Sequence, residues 1–426
     1  MMRILLTGAT GFIGSALASK LRERGHVLRL AVRDVERARA QWPDAEIVQA
    51  DFAALSDSAR WQPLLADVDA VINTVGLIAE HGADTFETIH VKPALALRTA
   101  AERSGVARVI QISALGSDAG ATTAFHRSKH AADEVLRAGS VPACIVQPSL
   151  VYGSGGASAA LFDRLALQAV IVLPGDGAQR IQPIHIDDLC DAIAALLSMP
   201  LMPPRLKAVG AQCLALREYL LVLRKALGGG PARCISLPPT LVGAVARLGK
   251  VWKNAPIDPD RLSMLERGNC ADVGPLRTLL GRLPRAPHQF LSPAQAALHA
   301  RAARTAAALL WLRLSVAAVW LFSGIVSMGI WPLADSLAML ARCGLRGVPA
   351  YVALYGSAAM DVAFGIGTLL LPRRRRLYEL QIGLILAYSA IIAVCLPELL
   401  WHPFAPIVKN LCMLAAIWML HQAERA

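Results

Sequence analysis

After residue 304 the chain turns into four apolar stretches, at 305–326, 348–371, 377–396 and 404–420. Each is about 20 residues, the length a helix needs to cross a hydrocarbon core of ~30 Å. Four such stretches in succession predict an all-α four-helix transmembrane bundle over 304–426. They also explain the composition. A hydrophobic fraction of 55% and a mean hydropathy of +0.46 are high for a soluble chain, and the excess is concentrated here.

The net charge of +12 has the same origin. Arg301 and Arg304 precede the first stretch, Arg373 to Arg376 fill the loop between the second and third, and Arg425 follows the fourth. Cytoplasmic loops carry the excess of Lys and Arg, and an even number of spans puts both chain ends on one side. The expectation is a multi-pass protein of the inner (cytoplasmic) membrane. Its N-terminal half, arginine loop and C-terminus would lie in the cytoplasm, with the lipid bilayer as partner. No interleaving of aromatic and basic residues makes a base-stacking surface, so a nucleic-acid partner is not expected. Nothing in the sequence names a protein partner.

The eight cysteines (Cys144, Cys190, Cys213, Cys234, Cys270, Cys343, Cys395 and Cys412) contain no Cys-x-x-Cys pair. Neither a metal site nor a redox dithiol is expected. Scattered, unpaired thiols fit a reducing compartment. Met1-Met2-Arg3 leads directly into a strand and a glycine turn, so no signal peptide is expected there.

The N-terminal half has a different grammar. Gly8, Gly11 and Gly14 stand three apart, between an apolar run at Arg3–Thr7 and a helical pattern from Phe12 to Arg24. The first glycine allows a tight strand-to-helix turn, the second lets backbone approach a pyrophosphate, and the third lets the helix pack close to the strand. The helix N-terminus then offers unpaired N–H groups to phosphate. Further strand-like runs at Val27–Val32, Ile47–Val48, Ala70–Thr74, Val109–Ser113 and Ala143–Gln147 alternate with helical patterns such as Pro93–Ser104 and Arg127–Arg137. Continuous apolar strands alternating with helices predict an α/β fold, a doubly wound parallel Rossmann sheet, over 1–200. From 201 to 303, Pro-rich breaks suggest a small substrate-side lobe and linker. Phe162–Ile171 and Leu189–Leu197 read as helices, the second opened by Asp187-Asp188.

These motifs together resemble the extended and atypical branch of the short-chain dehydrogenase/reductases, over about residues 2–290. The matching segments are Thr7-Gly8-Ala9-Thr10-Gly11-Phe12-Ile13-Gly14, Gln49-Ala50-Asp51-Phe52, Val71-Ile72-Asn73-Thr74-Val75-Gly76, Ile112-Ser113-Ala114-Leu115-Gly116, Gln147-Pro148-Ser149-Leu150-Val151-Tyr152-Gly153 and Gln182-Pro183-Ile184-His185-Ile186-Asp187-Asp188. The resemblance implies a nicotinamide cofactor held by Gly8, Thr10, Gly11, Phe12, Ile13 and Gly14, with Asp51 and Phe52 at the adenine. Thr74, Val75 and Gly76 would line the adenosine side, and Ser113, Lys129 and Pro148 the nicotinamide end. An arginine at the end of the second strand suits a 2′-phosphate, whereas an acid there suits a ribose hydroxyl. Arg33 therefore favours NADP(H) over NAD(H), with Asp34 as a complication.

The superfamily's catalytic tyrosine stands four residues before its lysine. Here Lys129 fits the lysine position, and Phe125 stands where the tyrosine would be. A phenyl ring neither gives nor takes a proton. His126 is offset by about 100° around the helix, so it should not point where the phenol would. Lys129 and Ser113 remain as catalytic candidates, and Tyr152 is either a donor or an anchor of its turn. His185 and Asp187 read either as a pair or as a helix cap. The pattern resembles members related to the NADPH-binding accessory subunit of respiratory complex I.

The membrane half resembles the DoxX-like family through Trp311-Leu312-Arg313-Leu314, Phe322-Ser323-Gly324 and His402-Pro403-Phe404-Ala405-Pro406-Ile407-Val408-Lys409-Asn410-Leu411. That resemblance implies a quinone-linked or lipid-soluble substrate. Charges within spans are costly, so Arg313 and Asp361 are expected to pair, unless they and Lys409 with Asn410 line a polar pocket. Two functions follow as expectations. One is a membrane-anchored NAD(P)(H)-dependent oxidoreductase acting on a quinone-like substrate. The other is a non-catalytic NADPH-binding structural or redox-sensing module.

Overall fold

A computed structural model describes residues 1–238, 240–244, 259–401 and 407–424. The chain divides into two units, Met1–Ala303 and Arg304–Ala426. In the first, the apolar runs become strands β1 (Arg3–Thr7), β2 (Val27–Val32), β3 (Glu46–Gln49), β4 (Ala70–Asn73), β5 (Arg108–Ile112) and β6 (Ala143–Pro148). An edge strand, Arg205–Ala208, completes a seven-stranded sheet in the order 205–208, β6, β5, β4, β1, β2, β3. Every pairing in it is parallel.

Side chains alternate across a strand, and both faces of this sheet are covered. Ile4 and Leu6 pack with Leu17 and Leu21 of helix α1 (Phe12–Glu23) and with Leu189, Ile193 and Leu197 of a helix at Ile186–Ser198. Leu5, Val71 and Ile145 face the other way. They meet Trp61 and Leu64 from Ser58–Leu65, Leu97 from Lys92–Ser104, and Leu136 from Ala124–Arg137. That double cover is why the strands read as unbroken apolar runs.

Strand order reverses between β1 and β4, and this is where a doubly wound sheet opens a crevice beyond its strand ends. A buried polar chain fixes those ends. Thr7 Oγ1 donates to Asn73 Oδ1 (2.6 Å) and Asn73 Nδ2 donates to Gln111 Oε1 (2.8 Å).

Two local expectations are corrected. The helix expected over Phe162–Ile171 runs over Ala157–Ala166, and Val170–Pro174 is a strand paired in parallel with Arg233–Leu237. Its side chains alternate, with Val170 and Val172 exposed and Ile171 and Leu173 buried, a period of two rather than 3.6, and the first three are β-branched. The cysteines are not all unpaired either. Cys213 and Cys270 form a disulfide with Cα atoms 5.8 Å apart, and their separation of 57 residues hides the pair from any spacing rule.

Among the described residues, three helices are long and apolar enough to cross a membrane: Pro293–Ile330, Val348–Leu370 and Arg375–Cys395. The first begins before residue 304, so the end of the expected linker is helical. The fourth run forms a helix over Lys409–Ala423, 15 residues. Its expected start at Phe404, with the rest of His402–Pro406, lies outside the described residues, as does Arg425. Close helix approach is built on glycine. A Cβ at Gly324 would stand 2.6 Å from the Ala358 carbonyl oxygen, and one at Gly365 2.6 Å from Leu321 Cγ. Phe322, Val352, Leu380 and Val394 are all more than 60% exposed, as lipid-facing side chains would be.

The expected Arg313–Asp361 pair is not formed. Asp361 accepts from Ser323 Oγ (2.8 Å), while Arg313 reaches Glu424 (3.4 Å), which Arg374 also contacts (3.3 Å). Ser323 lies ten residues beyond Arg313, about 15 Å along a helix, so Asp361 sits at a depth Arg313 cannot share. Asn410 Nδ2 donates to Ser389 Oγ (2.9 Å).

Candidate functional site

The glycine turn after β1 is compact for stated reasons. Gly8 has φ +75°, and a Cβ on it would meet Thr74 Oγ1 at 2.7 Å. The Gly11 N–H donates to the Gly8 carbonyl (2.9 Å), and a Cβ at Gly14 would stand 2.1 Å from that same oxygen. Side chains of Asp34, Asp57 and Thr123 cap the helices at Val35–Gln41, Ser58–Leu65 and Ala124–Arg137. Helix α1 instead begins at Gly11 with no side-chain cap, so its first N–H groups keep their capacity for an anion. The cradle therefore fits a pyrophosphate on its own geometry.

Around it the expected contact residues divide. Thr10 and Phe12 stay on the turn, and Phe12 packs where a Cβ on Gly156 would stand 3.0 Å from its Cζ. Ile13 packs against the core. Arg33 is two-thirds exposed and pairs with Asp84 (3.2 Å). The Asp34 carboxylate accepts from the Arg37 N–H (3.0 Å), which occupies it as a cap. Asp51 accepts from the Ala53 N–H (3.3 Å), while Phe52 is buried edge-on against Trp61. Thr74 Oγ1 donates to the Thr7 carbonyl (2.7 Å) and the Val75 N–H donates to Asn73 Oδ1 (3.1 Å).

Lys129 is buried at the far end of the crevice. Its Nζ donates to the Ile112 and Val75 carbonyls (3.1 and 3.3 Å), and a Cβ at Gly76 would stand 2.8 Å from that nitrogen. Burial pulls its pKa down to about 8, against an opposing pull from Asp133. Ser113 Oγ donates to Asp133 Oδ2 (2.5 Å), and Pro148 ends β6 with its carbonyl accepting from the Leu115 N–H (2.9 Å). Phe125 lies among Phe86, His90 and His126, with ring centroids 6.2, 6.0 and 5.2 Å away. His126 is buried against Gly116, under Arg267, which donates to the Gly116 carbonyl (2.8 Å). Burial first, then that arginine, keeps its pKa low. Tyr152 anchors its turn, its hydroxyl donating to Asp163 Oδ1 (2.8 Å). His185 caps the helix at Ile186–Ser198 by accepting from the Asp187 N–H (3.3 Å), and its ring also stands 3.5 Å from the Asp187 carboxylate.

Three residues of this site had no place in the sequence reading. Asp133 is one turn beyond Lys129, a spacing that puts both on one face and was available as a signal. His90 accepts from the Leu77 N–H at Nε2 (2.9 Å) and donates from Nδ1 to Ser128 (2.8 Å). Burial and Lys129 hold it neutral, with a pKa of about 2. Neither His90 nor Arg267 is near the site in sequence.

Burial pushes the Asp133 carboxyl up from 3.8 to about 6. A carboxyl that holds its proton more tightly when folded stabilises the fold fully below about pH 4 and loses that contribution as pH rises through about 6. Two units correspond to about 3 kcal/mol. Lys129 is charged in both states below its depressed value of about 8, so it does not contribute between about pH 4 and about 6.5. The thermal midpoint of the first unit is therefore expected to fall between about pH 4 and about 6.5 and to level off above that, and Asp133→Asn to flatten that slope. An unchanged slope in the variant would remove Asp133 as its source.

The chain matches the NAD dependent epimerase/dehydratase family over residues 4–205 and the DoxX-like family over 317–418. It is 30% identical to the uronate dehydrogenase of Pseudomonas putida over 208 residues, 47% of this chain and 72% of that protein. It is 27% identical to the ceramide reductase of Caulobacter vibrioides over 199 residues, 47% of this chain and 62% of that protein. It is also 27% identical to subunit 9 of the Arabidopsis thaliana NADH dehydrogenase [ubiquinone] 1 alpha subcomplex over 197 residues, 45% of this chain and 48% of that protein. The chain thus spans less than two thirds of the last two relatives. Among solved structures, gox2253 superposes with a TM-score of 0.55 at 23% identity, covering 71% of this chain and 98% of that one. MoeE5 with UDP-glucuronic acid and NAD gives 0.52 at 19% identity, covering 71% and 99%. The chain belongs to the NAD dependent epimerase/dehydratase family and carries a DoxX-like domain at its C-terminal end.

Proposed function

We propose that this is a membrane-bound NADP(H)-dependent oxidoreductase whose substrate is quinone-like and lipid-soluble. The observation that carries the reading is Phe125 one turn before a buried Lys129. A reduced nicotinamide supplies a hydride when bound. A ketone accepting it becomes an alkoxide and needs an acid at hand, which is the role a phenol at position 125 would fill. A quinone becomes a hydroquinone anion, a phenolate that water can protonate near neutral pH, so the phenyl ring of Phe125 suffices. Lys129 would hold the nicotinamide ribose, with its amine oriented by the Val75 and Ile112 carbonyls. Ser113, fixed by Asp133, would border the nicotinamide ring beside Pro148. Gly8, Thr10, Gly11, Phe12, Ile13 and Gly14 would cradle the pyrophosphate. Asp51, Phe52 and Thr74 would line the adenosine side, and Val75 and Gly76, which touch Lys129, would line the stretch toward the nicotinamide ribose.

Arg33 would meet the 2′-phosphate, since Asp34 is committed to its helix cap. Arg33→Ala is expected to weaken NADPH binding about 10-fold, near 1.4 kcal/mol, and to leave NADH binding unchanged. Equal losses for both cofactors would end the NADP(H) assignment.

The division of labour would be a cofactor domain over 1–200, a lobe over 201–303 and a membrane bundle over 304–426. We place the bundle in the inner membrane with the first unit in the cytoplasm, on the strength of Arg373 to Arg376. The Cys213–Cys270 bond weighs against this side, because cytosolic disulfides are rare. Alkylation of a cysteine introduced at Arg376, in intact cells against lysed cells, decides the side.

A second reading has its own observation. The aromatic cluster of Phe125, Phe86, His90 and His126 closes the tyrosine's place with apolar surface, as a non-catalytic NADPH-binding module for a membrane partner would allow. Addition of a short-chain quinone to the detergent-purified protein with NADPH separates the two. Oxidation that Lys129→Ala abolishes supports the enzyme, and tight binding without oxidation supports the module.

A further inference from the structure

Beside the glycine cradle, at the loop whose Gly153 and Gly156 face Phe12, three polar side chains of the first unit stand in a line. Ser154 Oγ lies 2.8 Å from His299 Nε2, and His299 Nδ1 lies 2.7 Å from Asp163 Oδ2. Asp163 is 2% exposed, and its other oxygen accepts from the Tyr152 hydroxyl. Ser154 is exposed, between Gly153 and Gly155.

We propose that Ser154, His299 and Asp163 form a nucleophile–base–carboxylate relay that hydrolyses carboxylic esters by acyl transfer to Ser154.

The order of atoms is what that chemistry requires. A carboxylate accepting from Nδ1–H fixes the tautomer in which Nε2 carries the lone pair, and that lone pair faces the hydroxyl. Tyr152 holds the carboxylate from its far side, and its ring lies 6.1 Å from the imidazole, so both partners are fixed from below. A structural tie between these segments has no need of a solvent-exposed serine. The approach to Ser154 is also open, since a Cβ on Gly155 would meet nothing within 4 Å. The helix that follows, Ala157–Ala166, starts at Gly156 without a side-chain cap. Its first N–H groups, three residues from Ser154, are donors for a developing oxyanion. Such relays recur on unrelated folds and are recognised by geometry, not by sequence position.

The reaction balances without a redox partner. Ser154 Oγ bonds to the ester carbonyl carbon as its proton passes to His299 Nε2. The tetrahedral species then breaks the bond to the alcohol oxygen, and the alcohol leaves with the proton from His299. Water, deprotonated by His299, attacks the acyl-serine, and the carboxylic acid leaves with the serine proton restored. The sum is ester plus water giving acid plus alcohol.

The test uses the full chain in detergent, with a fluorophosphonate probe read by peptide mass spectrometry and p-nitrophenyl butyrate as substrate. The expected result is labelling at Ser154, with butyrate hydrolysis and labelling both lost by about 100-fold or more in Ser154→Ala and in His299→Gln. Ser154→Ala removes a surface hydroxyl, so its thermal midpoint should stay that of the parent. No label at Ser154 in the parent protein overturns the proposal. So does hydrolysis at the parent rate in Ser154→Ala, or labelling that His299→Gln leaves intact.

Discussion

Gly14→Val is expected to abolish dinucleotide binding, with NADPH affinity falling by more than about 100-fold, some 2.7 kcal/mol. The first atom of the new side chain would stand 2.1 Å from the Gly8 carbonyl oxygen. That neighbour is backbone, and it is held at the turn by the Gly11 N–H. No flexible side chain can yield, so either α1 moves away from β1 or the turn opens. Over-packing of this kind costs about 1–3 kcal/mol and occasionally more, so the thermal midpoint should fall as well. Gly11→Ala serves as the graded comparison, since its Cβ would stand 3.2 Å from the same oxygen and only a small shift is needed. Isothermal titration of both variants with NADPH checks the order. A folded Gly14→Val protein that binds NADPH within about threefold of the parent would show that the turn does not carry the cofactor.

The same turn shows why so much of this protein is legible in its sequence. Gly8 is required by its φ of +75° and Gly14 by the Gly8 carbonyl 2.1 Å from its would-be Cβ, while a Cβ on Gly11 would stand 3.2 Å from the same oxygen, so their spacing encodes geometry directly. The strands β1 to β6 are legible because both faces of the sheet are covered, which forces uninterrupted apolar runs. Legibility fails where the determining partner is distant in sequence. The strand Val170–Pro174 is short and one-sided, and its partner lies some sixty residues on, at Arg233–Leu237. Arg313 and Asp361, charges in apolar helices, read as partners for one another. Helix length sets their depths apart, and the actual partners, Glu424 and Ser323, are a residue near the chain end and an unremarked serine. Asp133 was within reach of a spacing argument from Lys129, whereas His90 comes to Phe125 only through the fold. Ser154, Asp163 and His299 come from a loop and two helices spread over 145 residues, and no local pattern joins them.

Reduction of Cys213–Cys270 is expected to be the largest single loss of stability in the first unit. The bond closes a loop across 57 residues. The chain-entropy estimate for a loop of that size is about 4 kcal/mol, a large part of what a domain of ordinary stability has to lose. The effect should be felt at a particular place. Residues beside Cys270 reach several parts of the unit. Asn269 Oδ1 accepts from the Leu150 N–H (3.0 Å), the Ala271 N–H donates to Gln182 Oε1 (2.8 Å), and Arg267 bridges to Asp118 (2.7 Å) and Gly116. Freed from Cys213, this segment should open locally before the sheet does, since such openings proceed in cooperative units. Hydrogen exchange at the Leu150 and Ala271 amides is therefore expected to accelerate in dithiothreitol while the amides of β4 stay protected. The thermal midpoint should fall in parallel, and the double variant Cys213→Ala, Cys270→Ala should start at the lower value and ignore the reductant. If reductant leaves both the midpoint and those two amides unchanged, the segment is held by Asn269, Ala271 and Arg267 alone, and the bond adds nothing to the fold.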